Sequence, residues 1–299
     1  ESSSAPEGAE LMEYRTPHSR TYQLEDGTYR TRIRAEALNR SDANGTWRTA
    51  HEGRWSSSSE GHRAGGGRLQ SLRRADGTLE IRSGENPGSG LNFGPASWGL
   101  EGQLTTFRDG WKEEPRTRGT TLESEEDGIR FSVDLGTDRL KQTLTLEKRP
   151  RGLSSEMAWV IREKVELRGG WTLEESADSR TIRVLDVAGN EAGYFPTPLA
   201  HAATANAPES WSAGWYSVVE EDGELFVETR FDGAFLADPD TAYPVSLDPT
   251  FVLGDIQTGS ASEAGGKWTG NLFLSQWKDT PTQVGFVAFP TQFLPVGAT

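Results

Sequence analysis

The amino-acid sequence predicts an all-β protein made of antiparallel, sandwich-like domains, with a partial third sandwich at the C-terminal end. Apolar and polar residues alternate with a period of two in several segments. Asp-Gly and Asn-Gly dipeptides, which suit tight hairpin turns, occur between these segments. No segment of about a dozen residues keeps a clean helical period. Successive strands are therefore expected to pair antiparallel, without crossover helices.

The alternation is first visible at Tyr29, Thr31 and Ile33, which are interleaved with three arginines. A period of two places one face of a segment in a core and the other in water. Three later segments are predicted to be strands for the same reason, at these apolar positions: Ile129, Phe131, Val133 and Leu135; Leu140, Leu144 and Leu146; and Leu225, Val227 and Phe231.

Seven Asx-Gly dipeptides mark the expected turns. Glycine adopts positive φ angles without strain and Asp or Asn tolerates them, as two-residue hairpins require. Hairpin turns are therefore predicted at Asp26-Gly27, Asn44-Gly45, Asp76-Gly77, Asp109-Gly110, Asp127-Gly128, Asp222-Gly223 and Asp232-Gly233.

Two stretches suggest breaks in the chain. Residues 55–67 are rich in Ser and Gly, and we interpret them as a long flexible loop rather than a linker. Prolines bracket the short predicted strand at residues 243–247, which is typical of the last strand of a domain. The predicted organisation is a flexible segment at 1–13, a β unit at 14–120, a second at 121–250 and an incomplete sandwich at 251–299.

Composition narrows the function classes. The 299 residues have a formal net charge of −14 and include no cysteine. Nucleic-acid binders concentrate Lys and Arg, so DNA and RNA are not expected partners. Without cysteine, the chain has no disulfides, thiolate metal sites or cysteine nucleophiles. No run of about 18 apolar residues occurs, so no transmembrane helix is predicted.

The first six residues, Glu-Ser-Ser-Ser-Ala-Pro, are typical of the polar segment left after a signal peptide is removed. Export from the cell is therefore expected.

Several landmarks together resemble a known family. They lie at residues 19–27 and 39–47, at 146–150, 182–189 and 194–198, and at 237–239 with 243–250. This combination is similar to the N-terminal region of secreted bacterial wall-associated, RHS (YD-repeat) and DNRLRE-domain-containing proteins. Residues 268–274, 284–289 and 294–299 resemble the start of a DNRLRE domain, which is related to carbohydrate-binding β-sandwiches.

The resemblance implies an extracellular or cell-surface location and a scaffold role, or a place ahead of an RHS shell that carries a toxin. An unfinished sandwich exposes strand edges and an apolar face. We therefore expect the segment from about Phe251 onward to be completed by a second copy of this chain, by a cleaved partner or by the rest of a longer polypeptide. Phe273, Phe286 and Phe289 are the candidate residues of that assembly edge.

No catalytic residue is predicted. The four histidines, at positions 18, 51, 62 and 201, do not have the spacing of a zinc site. The chain has no G-x-S-x-G nucleophile elbow. Acidic pairs are abundant, but adjacent acids beside a turn more often form a solvated face than a glycosidase pair.

Two ligand classes are left as alternatives. Trp211 with Trp215, or Trp268 with Trp277, could stack on sugar rings of a cell-wall polysaccharide, although alternation favours core packing for tryptophans. Asp238 with Asp240 could bind calcium through carboxylate oxygens, although a turn-forming role is more typical of such residues. The sequence thus predicts a non-enzymatic scaffold that associates through β edges, with glycan binding or an RHS-type cap as alternatives.

Overall fold

In a computed structural model of the chain, the described residues form an almost entirely β, antiparallel protein, as the sequence predicts. Two compact units are present, one made of residues 52–255 and the other of residues 1–51 and 256–299. The structure describes residues 8–33, 38–42, 44–50, 53–65, 67–84, 86–94, 97–106, 116–118, 121–126, 129–204, 207–254, 258–262, 267–269 and 283–287.

The N-terminal part begins with short hairpins. Its elements are β1 (Ala9–Glu10), a 3-10 helix (Met12–Tyr14), β2 (Ser19–Gln23), β3 (Tyr29–Ile33), β4 (Asn39–Ser41) and β5 (Trp47–Thr49). β1, β2 and β3 form one sheet, and β4 pairs with β5. The fully buried Asn39 accepts a 2.8 Å bond from the Arg20 Nε and donates a 2.7 Å bond to the Thr16 carbonyl. These bonds join the two hairpins.

The large unit begins with strands that mostly belong to one sheet. They are β6 (Ser56–Ser58), β7 (Gly61–Gly65), β8 (Leu69–Arg74), β9 (Leu79–Ser83), β10 (Gly90–Phe93), β11 (Ser97–Leu100), β12 (Gln103–Thr106), β13 (Arg116–Arg118), β14 (Thr121–Glu126), β15 (Ile129–Leu135), β16 (Arg139–Leu146) and β17 (Ala158–Arg168).

The second half of the unit adds nine strands and one short helix. They are β18 (Thr172–Glu175), β19 (Ile182–Leu185), β20 (Glu191–Phe195), β21 (Leu199–Thr204), β22 (Ala207–Ala213), β23 (Trp215–Glu221), β24 (Glu224–Asp232), α1 (Gly233–Ala237), β25 (Val245–Asp248) and β26 (Thr250–Leu253). The C-terminal part contributes β27 (Thr258–Ser262), β28 (Lys267–Thr269) and β29 (Gln283–Val287), in the order β28-β27-β29.

The described residues of the large unit form two sheets. The ten-stranded sheet runs from β6 through β7, β8, β9 and β10 to the long strand β17. β17 also pairs with β11, which leads to the terminal strand β12, and with β24, which leads to the edge strand β23. The eleven-stranded sheet runs from β13 through β14 and β15 to β16, then through β26, β20 and β19 to β18. A branch from β16 leads through β25 and β21 to β22.

The two sheets pack face to face, because residues of both belong to the same apolar clusters. In the first cluster, Phe195 has its ring centroid 5.9 Å from that of Phe93, 6.1 Å from Tyr216 and 5.3 Å from Phe251. Phe93 and Tyr216 come from the ten-stranded sheet and the other two from the eleven-stranded sheet. A second cluster is built around Trp159, Phe231 and Leu247.

The strand pairings do not follow the boundaries of the predicted units. β17 pairs with β10 and β11, so one sheet crosses the predicted boundary at residue 120. Phe251, where the third unit was predicted to begin, is 1% exposed in the first apolar cluster of the large unit. Phe251 is therefore covered by residues of the large unit. β1 lies in the segment predicted to be flexible, and it pairs with β2.

Two sequence interpretations are wrong. Residues 56–58 and 61–65 form strands rather than a flexible loop, because the buried Trp55 anchors the segment and the serines pair with β7. Asp232-Gly233 is not a hairpin turn. The Asp232 carboxylate accepts a 2.8 Å bond from the Ala234 N–H and caps α1.

Most of the other expectations for local structure are confirmed. The four strands predicted from alternation coincide with β3, β15, β16 and β24, and the predicted strand at 243–247 overlaps β25, which begins at Val245. Hairpin turns occur at residues 26–27, 44–45, 76–77 and 222–223. The dipeptides at 109–110 and 127–128 lie outside the described residues.

Candidate functional site

A layer of polar residues lies between the two apolar clusters of the sandwich. Glu163 occupies an inner-face position of β17 between Ile161 and Val165, which belong to different clusters. Gln142 is its counterpart on β16. Both are almost fully buried, at 5% and 4% exposure. Both residues are at strand positions whose side chains are directed into the core, so neither depends on a loop to reach it.

Glu163 is held by groups from two strands. The Gln142 Nε2 donates to Glu163 Oε2 over 3.3 Å. The buried Arg73 of β8 attracts the Glu163 carboxylate electrostatically. These three side chains line a cavity of about 10 Å³ together with Trp98 and Phe131. That volume holds about one water molecule. The cavity is therefore too small to be a substrate site.

Burial changes the titration of this layer. It raises the pKa of Glu163 to about 7, while the Arg73 charge and the Gln142 hydrogen bond oppose the rise. Burial also lowers the pKa of Arg73 to about 9, against the attraction of Glu163 and Asp76. Arg73 is cationic near neutral pH, as guanidinium groups are in proteins. The layer therefore contains a carboxyl whose neutral form is favoured by burial.

One edge of the ten-stranded sheet is closed by a turn of the other sheet. At the edge strand β23, the Tyr216 N–H donates to the Ser179 carbonyl over 2.7 Å. The Val218 N–H donates to the Glu175 Oε2 over 2.9 Å. Arg180 donates to the carbonyls of Ala213 and Gly214 beside this edge. Two outward N–H groups of this edge, those of Tyr216 and Val218, are thus already bonded.

Another terminal strand of this sheet, β6, is open, and β12 is the third terminal strand. All three serines of β6 are exposed, and within the described part of the chain no strand pairs with the outer side of β6. Ser58 pairs with Gly61 across a two-residue turn. In an antiparallel ladder the bonded pairs alternate, so the N–H and C=O of Ser57 are directed outward. These groups can bond to an added strand.

Trp211 lies on the outer face of the eleven-stranded sheet. It is 44% exposed and pairs across β22 and β21 with His201, which lies between the buried Ala200 and Ala202. The next residues across the sheet in the same row are Ser246, Thr145 and Arg130. At about 4.8 Å per strand, this row of five residues spans roughly 19 Å.

The structure does not unite the predicted tryptophan pairs. Trp215 begins β23 in the ten-stranded sheet, opposite Arg230, and is half-buried. Trp211 and Trp215 therefore belong to different sheets. Trp268 is in β28, whose backbone alone is described, and Trp277 lies outside the described residues.

The predicted calcium ligands form a turn. The Asp238 Oδ1 accepts a 2.8 Å bond from the Asp240 N–H, directly after α1. The Asp238 carbonyl accepts a 2.7 Å bond from Arg149. Among the described residues, no three acidic or histidine side chains come together as a metal-binding group.

The predicted assembly edge stays untested. Phe286 is in β29, whose backbone pairs with β27, and Phe273 and Phe289 lie outside the described residues. No helix within the described ranges has the length and apolar character needed to cross a membrane.

Comparison with known proteins gives no family assignment. No protein-family model matches the sequence, and no curated protein matches it. The resemblance to wall-associated, RHS and DNRLRE-domain proteins therefore stays a prediction.

Sequence reasoning missed the Arg73–Glu163–Gln142 layer. The signal was present in β17, where a charged residue interrupts the apolar period between Ile161 and Val165. The sequence around Arg73 does not indicate that this residue lies near Glu163, because only the order of strands in the sheet brings β8 to the layer.

Proposed function

We propose that the chain is a non-enzymatic, extracellular structural module of a bacterial cell surface, which associates through a β edge into a larger assembly. The observation that carries this proposal is the difference between two terminal strands of the ten-stranded sheet, β23 and β6. Backbone groups of β23 are bonded to Glu175 and Ser179, whereas the Ser57 backbone of β6 is directed outward and exposed.

The character of the interior also supports a structural role. The buried polar layer encloses room for about one water molecule. Glu163 and Gln142 bond to each other, as residues of a packed core do. The acidic composition of the chain, with a net charge of −14, favours solubility.

Sedimentation velocity of the wild-type protein and a Ser57→Pro variant tests the proposal. Proline removes the outward N–H while leaving the bonds of β6 to β7 in place, so we expect association to weaken at least about tenfold. Ser57→Ala keeps the N–H and serves as the matched control. A wild-type protein that is monomeric at every concentration, or a proline variant that associates like the wild type, would contradict the proposal.

Glycan binding is a second candidate function, because Trp211 exposes an aromatic surface beside a polar row on a flat sheet face. Aromatic faces with neighbouring hydrogen-bonding groups are typical of small-ligand recognition. The hydroxyls of Ser246 and Thr145 and the His201 ring are the polar groups nearest along this row.

A pull-down on purified cell-wall polysaccharide tests this second candidate. Trp211→Ala is expected to reduce retention at least about tenfold without changing the unfolding midpoint, because the side chain is on the outer face. Trp215→Ala, on the other sheet, is expected to leave retention unchanged. Equal retention of both variants, or no retention of the wild type, would remove this candidate.

A further inference from the structure

We propose that the Glu163 carboxyl is a proton-binding site inside the sandwich, which takes up one proton on folding and makes the fold most stable in mildly acidic surroundings. This inference is independent of the proposed assembly. It concerns the core of the large unit, and its ligand is the proton.

The geometry isolates the carboxyl from solvent. Glu163 is 5% exposed, lies between two apolar clusters and borders a cavity with room for about one water molecule. Its hydrogen bond from Gln142 is long, at 3.3 Å. A carboxylate in water would have several short bonds, so ionisation is costly here.

Few charged groups within the described residues face this site. From β8, Arg73 attracts the carboxylate, and from β23 the buried Tyr216 interacts with it electrostatically. β16 contributes the neutral Gln142, and β24 places Val227 directly opposite Glu163. β9, β11 and β15 contribute Leu79, Trp98 and Phe131 to the cavity wall.

The charged neighbours of Glu163 along β17 lie on the opposite face. Arg162 bonds to Glu221 and lies 3.6 Å from the Glu228 carboxylate, and Lys164 bonds to Glu224 over 2.5 Å. These pairs are on the outer side of the sheet. Arg73 is thus the described cation acting on Glu163, and burial outweighs its attraction.

The direction of the pH effect follows from proton linkage. The folded protein holds the proton up to a pKa of about 7, whereas a glutamate in the unfolded chain releases it at about 4.5. Between these values the folded state binds more protons, so stability falls as pH rises and levels off above about pH 7. The complete shift corresponds to about a 300-fold change in the folding equilibrium constant.

Urea unfolding from pH 5 to pH 8 tests the inference. For the wild type we expect the loss of the Glu163 proton to lower the folding equilibrium constant about 70-fold between pH 5 and pH 8. Glu163→Gln keeps the shape and stays neutral, so its stability is expected to vary far less. Glu166→Gln, on the same strand with its side chain exposed, should keep the wild-type dependence.

A second measurement keeps the inference testable if Glu163→Gln does not fold. Carbon NMR of the wild-type glutamate carboxyls should contain one resonance that titrates with a midpoint near pH 7. Assignment of the Glu163 carboxyl to a midpoint below pH 5, or equal pH dependence in the wild type and Glu163→Gln, would overturn the proposal.

Discussion

Glu175 joins the two sheets through a single carboxylate. Its Oε2 accepts the Val218 N–H over 2.9 Å, and its Oε1 accepts the Ser179 hydroxyl. Ser179 has a positive φ of 55°, a conformation in which its carbonyl also accepts the Tyr216 N–H. One side chain thereby holds the turn against β23.

Replacement of Glu175 by alanine is expected to destabilise the large unit by about 2 kcal/mol, because the partly buried Val218 N–H loses its acceptor. Glu174→Ala is the control. Glu174 is 55% exposed and pairs with Arg183, so its loss should cost less than about 0.5 kcal/mol. Urea unfolding of both variants measures the difference, and equal costs would refute the role given to Glu175.

At the scale of single residues, the sequence indicates which side chains are candidates for a role but not which groups they contact. Trp211 was a candidate sugar-stacking residue for which alternation favoured core packing, and it is 44% exposed. The bond from Val218 to Glu175 joins residues 43 positions apart, and alternation within either strand contains no information about it. Such contacts depend on the sheet order.

At the scale of elements, one kind of dipeptide serves two purposes. Asp222-Gly223 forms the turn between β23 and β24, with positive φ angles of 53° and 78°. Asp232-Gly233 ends β24 and starts α1. Local sequence cannot separate the two cases, because the second is decided by packing. A Cβ at Gly233 would collide with the carbonyl oxygens of Met157 and Ser154.

Alanine substitutions at these two glycines are therefore expected to differ. A Cβ at Gly223 would have open space, so Gly223→Ala should cost only about 1 kcal/mol, which comes from the positive φ. Gly233→Ala should cost about 3 kcal/mol, because the backbone around Met157 has to move. Thermal or urea unfolding measures both, and a Gly233→Ala cost at or below that of Gly223→Ala would contradict the packing argument.

Strand positions with strong alternation were predictable, whereas polar or short strands were not. β15 and β16 show a clear period of two and pair in register from Ile129–Leu146 to Leu135–Leu140. β6 is three serines with no apolar signal, and it is a strand only because β7 lies beside it. Long-range pairing decides such segments.

At the scale of the whole molecule, acidic groups have opposite effects on how folding stability depends on pH. The carboxyl of Glu163 favours folding at low pH, because burial raises its pKa. The pKa of Asp178 is lowered, chiefly by the Ser176 hydroxyl, and that of Asp76 is lowered chiefly by the Thr78 N–H. These two aspartates stabilise the fold above about pH 4 and lose that contribution on further acidification. The stability maximum is therefore expected between about pH 4 and pH 6, below neutrality.

The proposed assembly depends on the unequal edges of the ten-stranded sheet. Residue-resolved amide hydrogen exchange in dilute and concentrated solution tests this most directly. We expect the Val218 and Tyr216 amides to be protected in both, and the Ser57 amide to exchange fast when dilute and slowly when concentrated. A Ser57 amide that exchanges equally fast in the associated protein, or protection that appears at β23 instead, would contradict the account.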